Sequence, residues 1–224
     1  MLDDASAPLT YRPNESVLEH IRLVSLVGVV GPSGAGKTTL VEAAIAARPE
    51  LHLVVGDTSR APRPGEQNGE DYHFRSREEM LRRIKLREYV QVPPDVTGDL
   101  YATAPASYTT SGVSLFAVWA AAVPMFRQLP FKQFCTVFIV PPSFAVWQER
   151  LGDRNALPQR MVEARQSFQF ALDDKQTWFI INDDLGEATN ELIYIANNHS
   201  LTPKLIADQP RAREIIADIL RQLP

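Results

Sequence analysis

Cysteine is nearly missing from this 224-residue chain: it occurs once, at position 135, so no disulfide can form within the chain. Cys135 lies in the apolar run FCTVFIV, where a buried strand thiol is expected rather than a nucleophile or a metal ligand. Histidine is also scarce, and His20, His52, His73 and His199 are scattered without the spacing of metal ligands. A basic excess is lacking too. With 23 Lys and Arg against 27 Asp and Glu, the net charge of −4 gives no overall field to hold a nucleic-acid polymer, and any anion site must be local. No apolar run approaches the roughly 20 residues of a membrane span. The acidic start MLDDASAP has neither the basic nor the apolar region of a signal peptide. A cytoplasmic location follows as the expectation, with no membrane and no nucleic-acid polymer as partner. Internal repeats and low-complexity segments are absent as well.

What remains is the composition of an ordinary globular domain, 45% hydrophobic and 22% charged, long enough for one sizeable core. Residues 1 to about 15 are polar and proline-bearing, which predicts a loose arm. The stretch IRLVSLVGVV (21–30) is apolar and β-branched, the pattern of a strand buried on both faces. The runs at 51–55, 113–119, 134–140 and 177–181 repeat it. Helix-like segments lie between them at about 37–47, 76–86, 120–128, 143–151, 158–172 and 185–197. That alternation predicts an α/β fold with a parallel sheet covered by helices on both faces. In the tail, Ile215, Ile216, Ile219, Leu220 and Leu223 recur at helical spacing and predict a terminal amphipathic helix, packed on the body or on a second subunit.

GPSGAGKT (31–38) fits G-x-x-x-x-G-K-[ST] directly after a predicted strand and at the opening of a predicted helix. Glycines 31, 34 and 36 let the backbone curl so that amide hydrogens converge on phosphate oxygens, aided by the positive end of the helix. Gly31, Ser33, Gly34, Ala35, Gly36, Lys37, Thr38 and Thr39 are therefore the candidate nucleoside triphosphate cradle. Lys37 is placed to reach the β and γ phosphates, and Thr38 to ligate Mg²⁺. The loop leaves the phosphate acceptor open, since NTPases and kinases share it.

A second candidate anion site lies in GDTSRAPRPGEQNGEDYHF (56–74), which has little apolar periodicity. Pro62 and Pro64 stiffen the backbone around Arg60 and Arg63, lowering the entropy cost of presenting two guanidinium forks to a phosphate or carboxylate. PGEQNG supplies turn chemistry, and EDYHF is expected to return as a short edge strand carrying the Tyr72 hydroxyl.

The ordered motif TSRAPRPGEQNGEDYHF (58–74), together with the phosphate loop, LYAT (100–103) and IINDDL (180–185), closely resembles the guanylate kinase family over roughly residues 22–198. The resemblance implies a P-loop NTPase three-layer sandwich with a parallel core sheet, a small NMP-binding subdomain at about 56–104 and a short lid at about 152–158. The family-like domain would span 21–198, with an N-terminal arm over 1–20 and a C-terminal helical extension over 199–224. The implied reaction is ATP-dependent phosphoryl transfer, with Mg²⁺, to a nucleoside monophosphate, GMP or dGMP being favoured, by a monomer or homodimer. Arg60, Arg63, Tyr72 and Tyr101 would hold the acceptor phosphate, and Lys37, Arg60, Arg150 and Arg160 would act on the transferring group. Arg154 and Asn182 would bind the ATP side, Asn182 near its adenine or, as the bland alternative, as a plain helix cap.

Three departures accompany the match. Gly56 stands where the family has a serine, Gln91 where it has a base-reading glutamate, and Thr103 remains after Tyr101-Ala102. Ala117 and Trp119 occupy the positions of an Asp-x-Asp pair, with Asp57, Asp95 and Asp99 as possible substitutes from elsewhere. Only NALPQ separates Arg154 from Arg160, which shortens the lid. Two further readings therefore stand beside guanylate kinase chemistry: a kinase for another phosphorylated small molecule, and a non-catalytic phosphate-recognising module.

Overall fold

The computed structural model describes residues 11–93, 98–152 and 158–223. Five strands form the central sheet: β1 (Ser25–Val30), β2 (Leu51–Leu53), β6 (Val113–Ala117), β7 (Gln133–Val140) and β8 (Thr177–Ile181). Their order is β2-β6-β1-β7-β8, and every pairing is parallel. In β1, Leu26 and Val30 face one core cluster while Val27 and Val29 face the other, and all four are fully buried. Burial on both faces is the physical reason for the continuous apolar runs in the sequence.

Helices α2 (Lys37–Ala47) and α7 (Leu185–Asn198) cover one face of the sheet. On the other face lie α1 (Glu15–Ile21), α4 (Val123–Arg127), α5 (Phe144–Leu151), α6 (Pro158–Asp173) and α8 (Pro203–Gln222), which gives three layers. The terminal helix α8 packs on the body, burying Leu205, Ala212, Ile216 and Ile219. It also closes an exposed sheet edge. The Gln209 amide donates to the Phe179 carbonyl at 3.0 Å and accepts from the Phe179 N–H at 2.9 Å, so edge strand β8 finds a side-chain partner. Among the described residues, no helix is long and apolar enough to cross a membrane.

A second sheet of three short strands, β3 (Asp57–Thr58), β4 (His73–Phe74) and β5 (Tyr101–Ala102), is backed by α3 (Arg77–Lys85). Strand β4 is at the edge, as expected from EDYHF, but it runs parallel to β3 rather than closing a hairpin. The N-terminal segment reaches this unit as well. The Tyr11 hydroxyl donates to the Tyr89 carbonyl and accepts from the Tyr89 N–H, both at 2.9 Å, while α1 buries Val17 and Ile21 in the main core.

Candidate functional site

The phosphate loop leaves the C-terminal end of β1, at the point where the chain crosses from β1 to one side of the sheet for β2 and later to the other for β7. Such a switch point is where open α/β sheets bind ligands. Gly36 caps α2 with φ +91°, a left-handed backbone, and a Cβ there would sit 2.3 Å from Asn182 Nδ2. Only glycine meets both demands. The loop is held by side chains from distant elements. Asn182 Nδ2 donates to the Ala35 carbonyl at 2.8 Å, Trp147 Nε1 to the Ser33 carbonyl at 2.8 Å, and Arg160 Nη1 to Ser33 Oγ at 3.1 Å. Arg150 Nη1 donates to the Asn182 carbonyl at 3.0 Å, so both predicted arginines of this flank lie at the loop.

Asn182 is not the helix cap. Asp184 fills that role for α7, its carboxylate accepting from the Glu187 N–H at 2.8 Å. A cleft of about 540 Å³ opens over the loop, lined by Ser33, Gly34, Gly36, Lys37, Thr38 and Thr39 on one side and Arg150 and Asn182 on the other. The Lys37 ammonium folds onto the carbonyls of Gly31 and Pro32 at 2.7 and 2.9 Å, and burial pushes its pKa down to about 8. A buried ammonium resting on two neutral carbonyls suits an incoming polyphosphate, whose charge would restore the balance. Arg154 lies outside the described residues, as do Asp95 and most of the predicted lid.

The second site is built on one face of the three-stranded sheet. Asp57 pairs with His73 on one side and Ala102 on the other, and Gln91 forms a bridge to Thr103. Because side chains alternate along strands, Tyr72, Gly56, Thr103 and Gln91 form a row across one face, with Phe74, Thr58 and Tyr101 in the next row. A Cβ on Gly56 would lie 3.8 Å from both Thr103 Cγ2 and Tyr72 Cδ1, which agrees with that row. Tyr72 and Tyr101 meet edge-on at 6.0 Å, and the Arg60 guanidinium sits 5.5 Å from the Tyr72 ring centre.

Glu66 orients Arg60 by accepting from Nη1 and Nη2 at 2.9 Å each, which raises the guanidinium pKa and lowers that of the carboxyl. The same carboxylate accepts from the Arg63 N–H at 2.7 Å. Arg60 Nε–H is buried without a partner, a donor left for an anion, whereas the Arg63 side chain is exposed. Burial raises the Tyr72 pKa, so its hydroxyl remains a donor at neutral pH.

Asp57 does not supply the acid missing from the base-reading positions. It points to the opposite face, toward α3, where Oδ2 accepts from Arg83 Nη1 at 2.8 Å and from the Tyr89 hydroxyl at 3.0 Å. Ala117 ends β6 and Trp119 lies two residues beyond it; Trp119 is 53% exposed, and its ring lies 6.4 Å from that of Tyr101. Ala117 pairs in register with Val29, two residues before Gly31. The contact from Tyr72 through Tyr101 to Trp119 thus puts the second candidate site at the same end of the central sheet as the loop 31–38.

Trp147, Glu66 and Asp57 were not singled out for these roles by sequence. Glu66 carried a signal, as the acid of the G-E dipeptide in the clamp motif, but Trp147 carried none. Cys135 is half-buried in β7, and burial raises its thiol pKa to about 12, which leaves it unreactive at neutral pH.

A family model described as guanylate kinase matches residues 24–198. The guanylate kinase of Rubrobacter xylanophilus is 37% identical over 181 residues, covering 76% of this chain and 92% of the relative. That of Thiobacillus denitrificans is 33% identical over 178 residues, covering 76% and 84%. The crystal structure of guanylate kinase from Anaplasma phagocytophilum shares the fold with a TM-score of 0.60, covering 80% of this chain and 87% of that one at 22% identity. Matched by that family model over residues 24–198 and by relatives at 33–37% identity, the chain belongs to the guanylate kinase family.

Proposed function

We propose that this protein transfers the γ-phosphoryl group of ATP to a nucleoside monophosphate, with GMP or dGMP as acceptor and GDP or dGDP as product. The observation that supports this reading is that two cationic side-chain groups lie at one end of the sheet: the loop 31–38 with Lys37, and the face bearing Arg60, Tyr72 and Tyr101. Phosphoryl transfer asks little covalent chemistry of a protein, so positioning and charge neutralisation are the work to be done.

The residues fit the nucleotide. A left-handed glycine cradle with no room for a Cβ at Gly36 allows close backbone approach, and Lys37 supplies a cation with a depressed pKa. In this reading Gly31, Ser33, Gly34, Ala35, Gly36, Lys37 and Thr39 bind the donor phosphates. Asn182 holds the loop in shape, and Arg150 and Arg160 flank it. Thr38 would hold Mg²⁺, which neutralises charge across the donor phosphates when bound. Arg60, Arg63, Tyr72 and Tyr101 clamp the acceptor phosphate, and Gln91 and Thr103 face its base. No general base is required, because the attacking phosphate oxygen is already anionic near neutral pH.

The test is a coupled assay of ADP formation with MgATP and a panel of GMP, dGMP, AMP, CMP and UMP. GMP turnover that disappears in Lys37→Ala, with GMP binding retained, supports the proposal. Monophosphate binding without any turnover in the wild type would instead favour a phosphate-recognising module.

A further inference from the structure

We propose that Gln91 reads the N1–H and C6=O edge of the acceptor base through its amide, so that the site takes 6-oxopurine monophosphates whether or not they carry a 2-amino group. This rests on the kinase reading above and names its acceptor class. Gln91 is 4% exposed, and its Oε1 is buried without a hydrogen-bond partner. A buried carbonyl oxygen without a partner costs free energy unless a ligand satisfies it. Its bridge to Thr103 puts Gln91 on the face that also carries Gly56 and Tyr72, beyond the Arg60 clamp.

The chemistry of the edge follows from the inventory of donors. A carboxylate is acceptor-only and would take both N1–H and the 2-amino group of guanine. An amide offers one acceptor and one donor group. It pairs with N1–H through Oε1 and with O6 through Nε2–H, and the 2-amino group gains nothing from it. The rest of the row supplies no carboxylate: Gly56 has no side chain, and Thr103 Oγ1 is already bonded to the Tyr108 hydroxyl at 2.7 Å. Trp119, exposed beside Tyr101, adds an aromatic surface and an N–H donor but no acceptor. Inosine monophosphate, which differs from GMP by lacking the 2-amino group, should therefore be accepted nearly as well.

The experiment is calorimetric binding of GMP, IMP and AMP to the full chain, with steady-state turnover of each with MgATP, in wild type and Gln91→Glu. For the wild type, IMP should lie within about tenfold of GMP in both Kd and kcat/KM. Gln91→Glu should widen the preference for GMP by about tenfold to a hundredfold, the worth of a charge-assisted bond to the 2-amino group. A wild-type preference for GMP over IMP of more than about a hundredfold overturns the inference, and so does AMP binding as tight as IMP; kinase activity on GMP would be untouched by either result. If the nucleotides bind but none is phosphorylated, the kinase reading fails while the Kd ratio still judges Gln91. Binding of neither GMP nor IMP overturns the inference outright. Should Gln91→Glu melt at the assay temperature, the wild-type ratio decides alone.

Discussion

Asn182 Nδ2 donates to the carbonyl of Ala35 at 2.8 Å, tying the residue after strand β8 to the middle of the phosphate loop. Both residues are buried, so removing the amide takes this hydrogen bond from the Ala35 carbonyl. Asn182→Ala should therefore cost about 1–3 kcal/mol, the desolvation of an unpaired polar group. At roughly 2–4 °C per kcal/mol for a chain of this size, calorimetry should read a lower Tm. The KM for ATP should rise about tenfold as the loop loses its shape. An unchanged KM would reduce Asn182 to a stabilising contact.

Lys37 gives a pH dependence with a definite sign. Its pKa falls from an ordinary 10.5 to about 8 in the folded chain, so the unfolded state holds the proton more tightly. Between about pH 8 and 10.5, this group alone makes stability rise with pH. A bound triphosphate reverses the shift, because an adjacent anion favours the ammonium. ATP binding near pH 8.5 should take up a proton, and affinity should fall as the pH rises through about 8. Titration calorimetry in buffers of different ionisation enthalpy checks this, and Lys37→Arg should abolish the buffer dependence. A binding enthalpy independent of buffer in the wild type would contradict it.

Asp57 is 1% exposed and holds Arg83 and Tyr89 behind the three-stranded sheet. Arg83 keeps Glu88 at 3.5 Å and is partly exposed, so Asp57→Ala should cost about 1–3 kcal/mol, chiefly through the charge-assisted bonds that Arg83 and the Tyr89 hydroxyl lose. The loss should begin locally. Amide exchange over residues 57–58, 73–85 and 101–102 is expected to accelerate ahead of the central sheet. A stability change under about 1 kcal/mol would mean that the pair is not sustained in solution.

The central sheet was legible in the sequence because strand segments buried on both faces must be apolar, as 26–30 of β1 and 137–140 of β7 are. The phosphate loop was equally legible, since glycines at left-handed positions leave a fixed spacing. The three-stranded unit was legible only in part. Its strands β3, β4 and β5 have two residues each, too short for periodicity, so their parallel and antiparallel pairing depends on contacts far apart in the chain. Trp147 illustrates the limit. Its Nε1 reaches the Ser33 carbonyl across 114 positions, and a tryptophan on an amphipathic helix reads as core until that contact is seen. Asn182 was ambiguous for a different reason: Asn-Asp-Asp before a helix offers three caps, and burial chose Asp184 for the cap and left Asn182 for the loop.

The central claim is that the loop around Lys37 and the clamp around Arg60 face each other across one cleft. A bisubstrate analogue joining adenosine to guanosine through a pentaphosphate tests it most directly, because only facing sites can be occupied together by one molecule. Calorimetry should give the analogue a Kd about 10²–10⁴-fold below that of ATP or GMP alone, with the gain lost in both Lys37→Ala and Arg60→Ala. An analogue that binds no more tightly than the better of the two nucleotides would contradict the account.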